Sequence, residues 1–496
     1  MDRRILGRGA LLLLLLLSFA IRISGLTAQS LWRDEVDALR FSMAPLPTLV
    51  GNFTRIGWNG PLYYVLLRLW LVSSGSSELA LRYFSLLFGV LGTAMIYRLG
   101  RDWHSPLVGG LAALLTACSP YLVWYSQEAK MYALLTATVP GLLYVYRRAL
   151  SGRDGRLWVA VVILTWITIG LHIMGVLIVP VMVLLFLLWW PQSKAQWRQG
   201  LAALTICVLP GAAVLPWAFP LLLGGGDIGH RFVPLPAMIA TMLFAFTRGI
   251  VDAGGPWATG LGVFALLAGT ALWTEGGIPS RARAILLDRA PALSDEGRFV
   301  LALWAWIALP VAGLYAISTR VPMFVDRYLI WIGPAVYLLM ARGLAQVRQR
   351  SRIAAGVCLA AFMALSGWGV WQQSHMPIKS DFRAAAAYVR EHRQPDEVLL
   401  FHISYVRATF EYYYGDSSPT ADGIPTDERT TQQVVDAEMR QRVGGYDVVW
   451  LILSEPEMWD QRGMTVAWLD EHAEADLRAN FARVSVVRYR MNANTP

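Results

Sequence analysis

"RRILGRGALLLLLLLSFAIRISGLTAQSLWRDEVD", Arg3 to Asp37, runs from a basic start through a leucine stretch into three carboxylates, Asp34, Glu35 and Asp37. A basic start followed by a leucine run is also the form of a cleaved signal peptide. Here the apolar character continues to Leu26, long enough to span a bilayer once Arg22 snorkels to the far interface. Either way, the loop that follows emerges outside.

The rest of the chain supports a membrane reading. Hydrophobic residues make up 56% of it, against roughly 45–50% in an average soluble domain. Charged residues are 16%, where about 25% is usual. The net charge of +9 does not indicate nucleic acid, because the basic residues recur in short clusters between apolar runs. That is the positive-inside pattern. Cys118, Cys207 and Cys358 all lie in apolar runs and form neither a disulfide framework nor a metal spacing.

Taking about 17–25 apolar residues per span, segments fall near 5–26, 79–98, 106–124, 130–147, 157–172, 174–190, 200–222, 256–273, 298–317, 328–344 and 353–371, about eleven in all. With the N-terminus inside, every inner loop is basic: Arg98 and Arg101; Arg147, Arg148, Arg153 and Arg156; Lys194 and Arg198; Arg281, Arg283 and Arg289; Arg342, Arg348, Arg350 and Arg352. The expected organisation is a membrane domain over 1–373 and an extracytoplasmic α/β domain over 374–496. The long first outer loop, 27–78, contains an apolar helix at 61–74 that is too short to span and starts at Pro61. In the C-terminal part, "EVLLFH", "YDVVWLIL" and "RVSVVRYR" are expected strands. "DFRAAAAYVREH", "QQVVDAEMRQRV" and "VAWLDEHAEADLRANF" are expected helices. The chain contains no P-loop.

Four outer stretches hold residues suited to chemistry. Asp34 and Asp37 share a helical face while Glu35 points elsewhere. They are either solvated acids opening a helix or, anchored beside lipid by Trp32, carboxylates whose basicity rises toward that of a general base. In "YSQEAKMYALL", Glu128 and Lys130 lie at the rim of a span, either as an ordinary interfacial belt or facing a site. In "MFVDRYLIW", Arg327 lies between Asp326 and Tyr328. Its guanidinium either grips a phosphate or anchors the helix through Asp326 or a lipid headgroup. His172, between two apolar runs, and His230, in a glycine-rich outer loop, are further candidates, with a satisfied core histidine as the plainer alternative.

These stretches together resemble the polyprenyl-phosphate-dependent glycosyltransferases of the glycosyltransferase-C superfamily, most of all the bacterial branch related to protein O-mannosyltransferases and lipid A aminoarabinose transferases. "SLWRDEVDAL" is similar to that family's acidic motif, "GPLYYVLLRLWL" to its Pro-Leu-Tyr-Tyr interface helix, and "YSQEAKMYAL" and "DRYL" to its further outer motifs. The resemblance covers most of the chain. It implies a polytopic α-helical membrane protein with outer interfacial helices and a small C-terminal α/β domain on the outer face. It further implies Asp34 as the catalytic carboxylate, Glu35 assisting, and Tyr63 of the interface helix near the site. Where the family usually has His-Pro-Pro, this chain has Asn59-Gly60-Pro61, which leaves that histidine's role without an owner.

The chemistry is consistent with this. A sugar on a polyprenyl phosphate would place its lipid tail between spans and its phosphate at the interface. The leaving phosphate monoester needs charge stabilisation, suited to Arg327 and Lys130. The acceptor hydroxyl needs a base, suited to Asp34, and direct displacement inverts the anomeric carbon. A divalent metal is left open, with Glu35 and Glu128 as its candidate ligands. The expected partners are the bilayer, the lipid-phosphate sugar, and a glycan, lipid or protein acceptor, with no nucleic acid. The expected location is the bacterial inner membrane, multi-pass, N-terminus cytoplasmic and active site outside. The alternative, a lipid or glycan transporter or flippase, calls for ionisable residues near the bilayer midplane; here the middles of the spans are almost bare of charge.

Overall fold

A computed structural model describes residues 3–54, 60–152, 154–224, 230–252, 255–270, 294–427, 429–456 and 459–492. The chain forms two compact units: Met1–Leu26, Ser42–Gly75 and Ala80–Gln373 in the first, and Thr27–Phe41, Ser76–Leu79 and Ser374–Pro496 in the second. Residues 27–78 are thus divided between them.

The first unit is helical. Each of the eleven expected spans is helical over most of its length. Among the described residues, four helices are long and apolar enough to cross a membrane: Glu78–Trp103, Asp295–Ser318, Asp326–Arg350 and Arg352–His375. Pro106–Cys118 and Pro120–Ser126, bent by 62° at their junction, make a fifth if they form one span. Gly9–Ile23, Gly155–Leu171, Ile173–Leu188 and Leu235–Arg248 are shorter apolar helices. Large apolar side chains such as Leu13, Val159, Trp257 and Ile353 are exposed on this unit, as suits a surface whose solvent is lipid. Arg281, Arg283 and Arg289 lie outside the described residues.

Two local features set the helix packing. On Gly343, a Cβ would stand 2.1 Å from the Ala265 carbonyl oxygen. On Gly269, it would stand 2.0 Å from that of Leu339. Only glycine lets the Gly255–Thr270 and Gly333–Arg350 backbones approach this closely. The second feature corrects the expectation for Arg22, which does not snorkel to an interface. It is 1% exposed and donates to the carbonyls of Ala117 (2.9 Å) and Thr116 (3.2 Å) and to the Ser18 hydroxyl (2.9 Å). The cause is Pro120, which has no N–H for the carbonyl of Thr116 four residues back. Arg22 supplies the missing donor at the bend, while the Ser119 hydroxyl accepts from Leu122 N–H and bonds the Tyr337 hydroxyl at 2.6 Å.

The second unit contains a five-stranded sheet in the order β2-β1-β3-β5-β4, with β1 Val398–Phe401, β2 Thr420–Asp422, β3 Val448–Leu453, β4 Ala473–Phe481 and β5 Val484–Met491. β2, β1 and β3 are parallel, and β5 runs antiparallel to β3 and β4. Val398, Leu400, Val449, Leu451 and Tyr489 line one core face, and Leu399, Phe401, Trp450, Ile452 and Val486 the other. One expectation is overturned here. "VAWLDEHAEADLRANF" is not one helix: Met464–His472 is helical and Ala473–Phe481 is β4. Its Ala, Glu, Leu and Arg favour helix, but pairing with β5 overrides that preference. The exposed charges of β4 suit an edge strand, and Asp476 bonds Arg488 (3.2 Å) and Arg490 (3.0 Å) across the pair.

Candidate functional site

Within the second unit, the acidic residues open the Arg33–Met43 helix. Trp32 is its N-cap residue, which places Glu35 at the third helical position. There its Oε2 accepts the Trp32 N–H at 3.4 Å, half of a capping box. The same oxygen lies 2.9 Å from Lys379 Nζ, and both side chains are buried. Asp37 is engaged too, 3.7 Å from Arg33 and 3.4 Å from Arg40. Arg33 also stacks over the Tyr405 ring, 4.2 Å from its centroid. Asp34, half-buried, has no hydrogen bond or ion pair among the described residues. Of the three acids, Asp34 alone has an uncommitted carboxylate.

The segment before these acids is fixed by the chain that opens the C-terminal domain. Gln29 Oε1 accepts the N–H groups of Ile378 and Lys379, and its Nε2 donates to the Met376 carbonyl. The Ser30 hydroxyl donates to the Ser380 carbonyl at 2.6 Å. Leu31 N–H donates to the Tyr413 hydroxyl at 2.6 Å, and that hydroxyl donates to Glu78, which also pairs with Arg383. Burial, followed by the hydrogen bond to Glu78, pushes the Tyr413 phenol well above its ordinary value.

Within the first unit, the "DRYL" stretch meets a column of tyrosines. Asp326 accepts the Tyr121 hydroxyl at 3.0 Å. Arg327 Nε donates to the Tyr132 hydroxyl at 3.1 Å. The Tyr328 ring lies 4.8 Å from that of His172. Tyr121 and Tyr125, then Tyr125 and Tyr132, meet edge to face at 4.9 and 5.1 Å. His172 is fully buried, and its Nδ1 accepts Met174 N–H at 3.1 Å. The proton therefore sits on Nε2, which has no hydrogen-bond partner among the described residues. This brings Asp326, Arg327, Tyr328 and His172 into one cluster.

Glu128 and Lys130 are buried in the turn between Ser126 and Tyr132. Lys130 accepts the Ser85 hydroxyl on its carbonyl. Its ammonium makes no hydrogen bond or ion pair among the described residues. Tyr63, in the Pro61–Ser74 helix, is buried against Tyr64 and Phe84. His230 is exposed, and Asn59 lies outside the described residues. Gly60 has φ +81°, and a Cβ there would stand 2.8 Å from the Leu171 carbonyl oxygen. A proline cannot adopt that backbone, so the departure from His-Pro-Pro is conformational as well as chemical.

Among the described residues, no group of three or more His, Cys, Asp or Glu is placed to hold a metal ion. Sequence reasoning missed Tyr121 and Lys379. Tyr121 sits in an apolar run with no polar neighbour to mark it. Lys379 had one signal: it is one of three lysines, with Lys130 and Lys194, in a chain otherwise rich in arginine.

The comparisons with known proteins agree with this architecture. Residues 59–218 match the dolichyl-phosphate-mannose-protein mannosyltransferase family. ArnT from Cupriavidus metallidurans bound to undecaprenyl phosphate superposes with a TM-score of 0.58 at 13% identity, over 97% of this chain and 98% of that one. The chain shares that enzyme's fold. The Archaeoglobus fulgidus oligosaccharyltransferase in complex with Zn and sulfate gives a TM-score of 0.53 at 14% identity, over 98% and 74%. The archaeal oligosaccharyltransferase AglB from A. fulgidus, in complex with an inhibitory peptide and a dolichol-phosphate, gives 0.52 at 13%, over 100% and 75%. No curated protein matches the chain by sequence.

Proposed function

We propose that this protein is an integral membrane glycosyltransferase that moves a sugar from a polyprenyl-phosphate donor to an acceptor hydroxyl on the outer face of a bacterial inner membrane, with inversion. In this reading about eleven helices span the bilayer, the N-terminus is cytoplasmic, and the Pro61–Ser74 helix lies at the outer interface. The main support is the family match over residues 59–218 within a glycosyltransferase-C fold.

Each role follows from the chemistry of its side chain. Asp34 is the base: its carboxylate is uncommitted, and an acceptor hydroxyl needs its proton removed as it attacks. Arg327, aimed by Tyr132, balances the charge that develops on the departing phosphate. Lys130 and the Nε2–H of His172 are further donors for that phosphate. Asp326 orients Tyr121 and closes the cluster. Glu35, held by Lys379, supports its helix turn and does not itself transfer protons.

The test is a panel of polyprenyl-phosphate sugars, mannose first, incubated with purified protein and a membrane extract as acceptor source. Release of polyprenyl phosphate from one donor with labelled product is expected. Transport of intact donor across sealed vesicles, without cleavage of any donor, would contradict the proposal.

A further inference from the structure

We infer that Lys379 is a positioning residue for the base: its pairing with Glu35 locks the first turn of the Arg33–Met43 helix and leaves Asp34 uncommitted. This rests on the assignment of Asp34 as the base. A carboxylate as buried as Glu35 must be paired to remain charged, and Lys379 Nζ at 2.9 Å is its cation. The same Glu35 oxygen caps Trp32 N–H, so neutralising it and starting the helix are one act. Lys379 does not reach this place by chance of rotamer. Its own backbone N–H donates to Gln29 Oε1 at 2.8 Å, and its ammonium lies 5.8 Å from the centre of the Trp32 ring. The two arginines of the helix are drawn elsewhere: Arg33 to Tyr405 and Asp37, Arg40 to Asp37. Without Lys379, Glu35 would compete for those arginines, and the turn bearing Asp34 would lose its fixed geometry. The start of the C-terminal domain therefore sets the geometry of the base, a role distinct from covering a site or choosing an acceptor.

The experiment compares full-length wild type, Lys379→Met, Lys379→Arg, the double variant Glu35→Gln/Lys379→Met, and Asp34→Asn. Turnover is followed with polyprenyl phosphate mannose, or with whichever donor of the panel is cleaved. Lys379→Met is expected to lower kcat at least about 10-fold with KM for the donor within about 2-fold, since misplacing a catalytic group costs rate rather than uniform binding. Lys379→Arg is expected to stay within about 3-fold of wild type, because it keeps the charge. The double variant is expected to recover at least about 5-fold over Lys379→Met, since no unpaired buried charge remains. Hydrogen exchange of residues 30–41 is expected to speed up in Lys379→Met and to stay slow in Lys379→Arg. Wild-type kcat in Lys379→Met beside an inactive Asp34→Asn overturns the positioning role alone. A loss in Lys379→Met that neither Lys379→Arg nor the double variant relieves also overturns it. Wild-type kcat in Asp34→Asn overturns the base assignment instead. If Lys379→Met does not fold, Lys379→Gln, which removes the charge but keeps a donor for Glu35, takes its place: folded with kcat lowered at least about 5-fold supports the role, and folded with wild-type kcat overturns it.

Discussion

Arg327 Nε donates to the hydroxyl of Tyr132 at 3.1 Å, which aims the guanidinium. If its terminal nitrogens hold the departing phosphate, Arg327→Ala should lower kcat for sugar transfer by about 100-fold or more. Arg327→Lys should recover only part of this, because a point charge lacks the planar fork. Tyr132→Phe should lower turnover by about 10-fold, through loss of aim rather than of charge. Steady-state kinetics on the cleaved donor reads all three.

The donors at the bend after Cys118 lead to a stability prediction. Arg22→Met would leave the carbonyls of Ala117 and Thr116 without the donors that Arg22 provides. A hydrogen bond from a charged group contributes about 1.5–3 kcal/mol, so a loss of about 3 kcal/mol is expected. Thermal unfolding of the purified protein in detergent should show a lower midpoint for Arg22→Met and a smaller drop for Arg22→Lys.

Close backbone contact makes a third prediction. Gly343→Val should prevent the Gly255–Thr270 and Gly333–Arg350 helices from meeting, because its Cβ would fall 2.1 Å from a carbonyl oxygen. Overpacking of this kind costs about 1–3 kcal/mol when the structure can yield, and more against backbone. Size-exclusion chromatography in mild detergent should show aggregated or poorly recovered protein, whereas Gly356→Val, at a position open on the surface, should behave as wild type.

Asp460 gives the C-terminal domain an acid dependence. Burial opposes its ionisation, but the His402 ring at 3.7 Å, the Thr426 hydroxyl and the N–H groups of Thr465 and Met464 outweigh it. They hold the carboxyl well below the usual carboxylate range. With its folded value depressed, the stability it contributes is complete above the unfolded value of about 3.9 and is lost as pH falls below that. Asp460→Asn should therefore melt earlier than wild type at pH 7, and the gap should shrink steadily below about pH 4. Unfolding followed by tryptophan fluorescence across that range checks the slope.

Much of the helical unit was legible in the sequence, because a lipid solvent demands long apolar runs. The buried Arg22 was not, because its partners are carbonyls freed by a proline nearly a hundred residues away. In the C-terminal domain, β1, β3 and β5 were readable from their apolar runs. β4 was hidden by helix-favouring residues that only their pairing with β5 extends. At the site, the acid cluster and the Asp326–Tyr328 stretch stood out as ionisable groups at a membrane rim. The partners of Glu35 did not: Lys379 lies far along the chain, and the cap on Trp32 N–H leaves no local pattern.

The most direct measurement is donor cleavage by purified wild-type and Asp34→Asn protein, with the folded state of each checked by its melting midpoint. Asp34 has no partner among the described residues, so its replacement should leave the melting midpoint where it is. We expect the wild type to release polyprenyl phosphate from a lipid-phosphate sugar and Asp34→Asn to do so about 10²–10⁴-fold more slowly. An Asp34→Asn protein that is folded and transfers sugar at the wild-type rate would contradict the assignment of the base.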